Sequence, residues 1–377
     1  MLPSASSSSP TRKATIRRAS GVPPSFLDRV VPVRQFHPAM KRAFAIVLGA
    51  CCASAAAAPK APLLVGPSPA WVTISTEELR GAFDTLWAVS DVHGRLRELD
   101  QLLLAANLVS RDAANQLVWN PSQRRQLLVV VGDYIDGGPE SVGVVLRVRR
   151  LIPEAAAAGS RIVTLLGNHE AAFLADPRSA NRRLLSSARR ASAELALPSR
   201  LTPEQLADSE FGTFLRSMPI AAFIGSWLFA HSGYLDAQDD PSALQAYFAA
   251  LATIWSRGGS ERYRALVDPR SITSCHDWWK HRARRAGMRA RLAKLGLNGL
   301  VFGHDPDALG ARKVIAMNPD GWLIKLDTGL KTLESSGMLL KCDVGLLLRG
   351  AELAMSFEGK PSCQAMTPQG TLRDLSR

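Results

Sequence analysis

Residues 127–138, LLVVVGDYIDGG, decide the fold. Five apolar residues stop abruptly at Gly132 and Asp133, so the run reads as a strand buried on both faces whose carboxyl end presents polar side chains. The same grammar recurs along the chain. Thr85–Ser90 runs into SDVHGR, Ile162–Leu166 into GNHE, Trp227–Ala230 into HSG and Leu300–Phe302 into GHD, and Leu323–Leu326 is a further run. Between the first two runs, Leu96, Leu99, Leu102, Leu103 and Ala106 share one helical face. A second helix opens at Pro139 and turns Val142, Val145 and Leu146 inward. Alternating strands and helices predict an α/β fold. Residues 176–222, rich in Arg and Ala with Pro198 and Pro203, read as a helical insertion placed to cap a site.

The chemistry lies at the strand ends. Asp91, His93, Asp133, Asn168, His231 and His304 each follow an apolar run, and strand ends of an open α/β sheet converge on one crevice. Carboxylate, amide and imidazole donors without thiolates suit manganese, iron or zinc. Six ligands exceed one tetrahedral ion, and a carboxylate has two oxygens, so Asp133, central in the series, is the natural bridge between two divalent ions. A lone histidine at a strand end is usually a hydrogen-bonded structural group, and a lone aspartate there a helix cap. Five such motifs in succession are not accounted for by stability alone.

In this order, DVHG, GDYID, GNHE, HSG and GHD resemble the calcineurin-like metallophosphoesterase superfamily, and the GNHE form resembles its phosphoprotein-phosphatase branch. WSRG (Trp255 to Gly258) and LDTG (Leu326 to Gly329) are similar to bacterial Shewanella-like phosphatases. The resemblance implies a four-layer α/β/β/α metallophosphoesterase sandwich and hydrolysis of phosphate monoesters by a metal-bridging hydroxide. It implies that Asp91, His93 and Asp133 hold one metal and that Asp133, Asn168, His231 and His304 hold the other. His169 becomes the general acid, oriented by Asp136, while Asn168 and Arg257 grip the phosphate. The chain departs from the branch at two positions: Gly137 and Leu166 stand where phosphate-gripping arginines are usual. Phosphoserine or phosphothreonine in proteins is the first substrate implied. A small phosphomonoester or dinucleoside polyphosphate, or a noncatalytic phosphate-binding role with metals retained, stays open.

Composition sets the limits. With 377 residues, 46% hydrophobic and 21% charged, the chain is neither wholly disordered nor a coiled coil. The net charge is +13, but residues 1–60 hold nine Lys/Arg against Asp28 alone, leaving +5 for the remainder. Residues 280–294, with seven Lys/Arg, no acid and no interleaved aromatics, read as a solvated helix face with Met288 and Leu292 inward, so no nucleic-acid partner is expected. Trp278 and Trp279 read as anchors for that helix. Residues 1–60 are expected to be a disordered leader and an export signal beginning at Met40 (MKRAFAIVLGACCASAAAAPK). Cleavage after Ala57 implies a soluble periplasmic form, whereas LGAC loosely resembles a lipobox and implies a membrane tether only through lipidated Cys51. Residues 61–79 are expected to be a linker, 80–358 the catalytic domain and 359–377 a tail. Cys275, Cys342 and Cys363 then remain, enough for one disulfide and a free thiol.

Overall fold

The computed structural model describes Gly66, residues 68–198, 200–332, 335–345, Leu347 and 362–375. The leader, the signal-like segment and Cys51 lie outside the described residues. The chain opens with β1 (Trp71–Ile74), α1 (Thr76–Ala82), β2 (Thr85–Val89), α2 (Leu96–Ala105), the hairpin β3 (Val109–Arg111) and β4 (Leu117–Trp119), and β5 (Gln126–Val131). It continues through α3 (Ser141–Ala157), β6 (Arg161–Leu165) and α4 (Asn168–Ala175). The insertion follows as α5 (Arg182–Arg190), α6 (Pro203–Asp208) and α7 (Glu210–Ser217), and the chain returns to sheet at β7 (Ala221–Ile224) and β8 (Trp227–Ala230). Next come α8 (Pro241–Arg257), α9 (Gly259–Leu266), α10 (Arg282–Lys294), β9 (Gly299–Phe302), β10 (Ala316–Met317) and β11 (Leu323–Lys325). The last strands are β12 (Leu339–Asp343), β13 (Cys363–Met366) and β14 (Leu372–Asp374).

Two six-stranded mixed sheets form, ordered β14-β13-β12-β2-β5-β6 and β1-β7-β8-β9-β11-β10. Their packing follows from the period of two in a strand. Leu127, Val129 and Val131 of β5 join Leu86 and Ala88 of β2 in a core shared with Ile224, Phe229, Val301 and Ile324 of the other sheet. The alternate residues Trp87, Val89, Leu128 and Val130 pack in the cluster containing Leu99, Leu102, Leu103, Val142 and Val145 of α2 and α3. Each strand is therefore buried on both faces, and each such Leu or Val contributes about 1.5–3 kcal/mol. The result is the helix-flanked double-sheet sandwich that the resemblance implied.

Three boundaries differ from expectation. The segment expected as a linker contains β1, which pairs in parallel with β7, and the start of α1, capped by Ser75 Oγ accepting from Glu78 N at 3.0 Å. The segment expected as a tail contains β13 and β14, which extend the first sheet, and Cys363 is disulfide-bonded to Cys342 directly opposite it on β12. These strands are three or four residues long, too short for periodicity to reveal. The expected insertion ends within β7, because Ala221 and Ala222 are already paired strand residues. Cys275 is the free thiol among the described cysteines, buried, and burial pushes it up to about 11. No described helix is long and apolar enough to cross a membrane.

Candidate metal centre

The six expected ligands meet, but across two sheets rather than along one. Asp91 and His93 follow β2, Asp133 follows β5 and Asn168 follows β6, while His231 and His304 follow β8 and β9 of the facing sheet. The loops are sharply bent. Asp91, His93, Asp133, Asp136 and His304 all adopt left-handed backbone, with φ between 47° and 69°. Such conformations cost roughly 1–3 kcal/mol each and persist where neighbouring contacts overdetermine them. Here the contacts are backbone hydrogen bonds from Asp91 N to Gly132 O (3.1 Å), His93 N to Asp133 O (2.8 Å) and Gly94 N to Tyr134 O (2.7 Å). Two glycines admit the carboxylates: a Cβ on Gly167 or Gly303 would lie 2.2 Å from Asp133 Oδ1 or Asp91 Oδ2.

The donor set fits cations. His93 Nδ1 and His231 Nδ1 lie 2.9 and 2.8 Å from the carbonyl oxygens of Ile135 and Val131. A carbonyl only accepts, so each Nδ1 carries the hydrogen and each Nε2 turns its lone pair inward. There His93 Nε2 faces Asp133 Oδ2 at 3.4 Å and Asp91 Oδ1 at 3.9 Å, and His231 Nε2 faces Asp133 Oδ1 at 3.2 Å. The side-chain oxygen of Asn168 lies 3.2 Å from both Asp133 oxygens and from His304 Nδ1, and 3.1 Å from His231 Nε2. Turning the amide over does not resolve this, because an NH₂ group has two hydrogens for four acceptors. Positive charge belongs between these groups. Protons show the same demand: burial favours neutral His231, yet Asp133 and Asp91 lift it to about 10. Burial likewise opposes ionisation of Asp133, yet His231 and His169 hold it well below the usual range.

Two groups of side chains could each hold a metal ion, the ligand atoms within each lying no more than 4.8 Å apart: His93, Asp133 and His169, and Asp133, His231 and His304. Asp133 belongs to both, presenting Oδ2 to His93 and Oδ1 to His231. Asp91 is buried beside them, its two oxygens accepting from His304 N at 3.1 and 3.0 Å.

His169 is held at its other end. Its Nδ1 is 2.9 Å from Asp136 Oδ2, the pairing implied by resemblance, and its Nε2 is 2.9 Å from Lys331 Nζ. Asn181, which caps α5, donates its amide to Asp136 Oδ1, tying the insertion to this pair. Burial disfavours the charged ring, but Asp133 and Asp136 outweigh it and raise His169 above the ordinary histidine range.

Glu170, which the motif reading left without a role, organises the Asp133 loop. Fully buried, it accepts from Asp133 N (2.9 Å), Tyr134 N (2.8 Å), Ile135 N (3.1 Å) and Gly167 N (3.0 Å). Its place at the third position of α4, three residues after the N-cap Gly167 whose N–H it accepts, is the sequence signal that identifies it. A glutamine supplies one acceptor oxygen where two are needed and turns an NH₂ toward backbone donors. Glu170→Gln is expected to destabilise the fold by about 3 kcal/mol, read as a lowered urea midpoint at unchanged slope.

Trp278 and Trp279 anchor the ligand loops themselves: Trp278 donates to Ser232 O (3.0 Å), and Trp279 donates to Asp305 Oδ2 (2.6 Å). Met288 and Leu292 are buried on α10, as their spacing predicts. The cleft over the ligands encloses about 250 Å³, and His276, Asp327 and Lys331 also line it. His276 stacks on His304 with ring centroids 3.8 Å apart. Asp327 sits at the end of β11 in LDTG, whereas nothing in the local pattern marks His276 or Lys331. Arg257 is a correction. It is exposed in the last turn of α8 and is not among the residues lining the cleft, because α8 continues through WSR and carries the side chain outward. Leu166 is fully buried in the core, so that position has no access to phosphate.

Strand-end loops of two facing sheets bring imidazoles and carboxylates together around Asp133 in two groups that could each hold a metal ion. Residues 85–308 match the model of the calcineurin-like phosphoesterase family, and the chain belongs to that family. It is thereby a phosphoesterase, a hydrolase whose family uses divalent metals. Among solved structures, it is similar to the cold-active protein-tyrosine phosphatase of a psychrophilic Shewanella species at 19% identity, covering 82% of this chain and 83% of that one with a TM-score of 0.55. A second structure of a cold-active protein tyrosine phosphatase gives 20% identity, 82% and 81% coverage and a TM-score of 0.55. A serine/threonine phosphatase from Saccharomyces cerevisiae aligns at 14% identity over 73% of this chain and 77% of its own, with a TM-score of 0.47.

Proposed function

We propose that this protein is a dinuclear metal-dependent phosphomonoesterase. The observation that carries the reading is Asp133, whose two carboxylate oxygens face two separate ligand groups. Asp91, His93 and Asp133 would hold one divalent ion, and Asp133, Asn168, His231 and His304 the other, drawn from manganese, iron or zinc. When bound, such ions polarise phosphoryl oxygens and supply a nucleophile from water at neutral pH. The chain's own residues do the rest. The P–O ester bond breaks, and water supplies the new oxygen to phosphorus. The leaving oxygen takes its proton from His169 Nε2 once Lys331 Nζ, which donates to Nε2 in the free protein, has moved onto the phosphate, and the proton released by the water restores His169. Asp136 holds Nδ1–H and so directs Nε2 into the cleft. Asn168 would orient a nonbridging oxygen, and Lys331 Nζ, beside His169, would contribute the cationic grip that Gly137, Leu166 and Arg257 do not.

Phosphorylated protein is the substrate class we favour, from the resemblance of GNHE and LDTG to the phosphoprotein-phosphatase branch. The cold-active structural neighbours are protein-tyrosine phosphatases by name, which places aryl phosphates beside phosphoserine in a first panel. We also infer export, from the signal-like segment at Met40; the Cys342–Cys363 bond suits an oxidising compartment. Chelation followed by dialysis is expected to abolish hydrolysis of p-nitrophenyl phosphate, and manganese to restore it. Full activity in the chelated protein, verified metal-free, contradicts the reading.

A further inference from the structure

The insertion builds a second, cationic recess beside the cleft. It encloses about 480 Å³ and is lined by Arg95, Arg182, Arg183 and Arg190 with Gly137 and Pro139. Three of the arginines come from α5, whose Leu184, Ser187 and Ala188 are buried on the opposite side. Arg183 and Arg190 are seven residues apart, two helical turns, and so share a face. The fourth, Arg95, enters from the loop that carries Asp91 and His93.

Three of these guanidinium groups are aimed by backbone, and none is neutralised by an acid among the described residues. Arg95 donates to Leu330 O (3.2 Å) and Lys331 O (3.0 Å), Arg183 donates to Gly137 O and Arg190 donates to Pro139 O. Each contact uses one or two of five N–H donors and leaves the positive charge intact. Among the described residues, none of the four makes an ion pair with a carboxylate, although surface arginines elsewhere do, such as Arg149 with Glu210. Four uncompensated cations around one recess repel one another, and an anion with several oxygens relieves that repulsion through paired N–H contacts.

Gly137 is the wall between recess and cleft. It lines the recess, and a Cβ placed on it would lie 3.1 Å from His93 Cβ and 3.1 Å from Lys331 Cγ, both in side chains that line the cleft. Recess and cleft therefore meet at this residue, the arginines on one side and the side chains of His93 and Lys331 on the other. We propose that the recess binds a second phosphoryl group of the same substrate, one that is recognised and not cleaved. This rests on the phosphomonoesterase reading and adds the substrate class: molecules bearing two phosphates, or a phosphate chain, within reach of Gly137.

The test compares matched pairs on the manganese-loaded full chain. One pair is a singly phosphorylated peptide and the same peptide with a second phosphoserine three residues away. The other is a hexose monophosphate and its bisphosphate. The second phosphate is expected to raise kcat/KM about tenfold, chiefly through KM, in whichever pair reflects the natural source. Arg182→Met, at a side chain that makes no hydrogen bond to the loop, is expected to cut that ratio to about threefold, and Arg182→Met with Arg183→Met to about one. A ratio near one in both pairs for the unaltered protein, or a ratio untouched by the substitutions, overturns the proposal. Should no monoester be turned over at all, the hydrolytic reading fails by itself. Calorimetric titration with pyrophosphate then judges the recess: weaker binding in Arg182→Met sustains it, and equal binding in both proteins removes it.

Discussion

Asp133→Asn is expected to lower the hydrolysis of phosphate monoesters by ~10³-fold or more while leaving the chain folded, because the substitution is isosteric and removes only the charge shared by two ligand clusters. Asp133 Oδ1 faces His231 and Oδ2 faces His93, so no other side chain can substitute for it. An amide offers one oxygen and places an NH₂ against one of the two imidazole lone pairs. The check is steady-state hydrolysis of p-nitrophenyl phosphate across a manganese titration, with far-ultraviolet circular dichroism confirming the fold. Activity within tenfold of the unaltered protein at saturating manganese would remove Asp133 from the centre of the account.

His169→Asn carries the second large effect, and its size depends on the leaving group. Loss of a general acid costs about 10²–10⁴-fold when the departing oxygen needs a proton. An alkoxide such as serine needs one, whereas a nitrophenolate leaves without it. We therefore expect a loss of ~10³-fold on phosphoserine peptides and a markedly smaller loss on p-nitrophenyl phosphate. Equal losses on both would reassign His169 to holding the metal cluster, in which its Nε2 also stands, 3.8 Å from Asp133 Oδ2. Asp136→Asn should reproduce the leaving-group dependence more weakly, since it acts on the proton through His169 Nδ1.

The parts of this molecule that could be read from sequence were those with a local signature. An apolar run that stops at Asp, Asn or His announces both a buried strand and what stands at its end, so β2, β5, β6, β8 and β9 and the six candidate ligands that follow them were legible. The pairing of Asp136 with His169 was legible only through resemblance, because nothing in the spacing brings positions 33 residues apart together. Short strands such as β1 and β13 had no periodicity to detect and depend on partners elsewhere in the chain. Lys331 and His276 reach the cleft by tertiary packing alone. Arg257 failed for the converse reason: a four-residue motif carried the expectation, while the helix containing it sets which way the side chain points. Glu170 shows an intermediate case, visible as an acid in the first turn of a helix yet meaningful only once its four backbone donors are placed.

Counting metal is the most direct test of the shared-aspartate centre. The full chain is loaded with manganese, passed through a desalting column and measured by inductively coupled plasma mass spectrometry against protein concentration. About two ions per unaltered chain and no more than one per Asp133→Asn chain are expected from the shared carboxylate. A single ion in the unaltered protein, or two retained in Asp133→Asn, would contradict it.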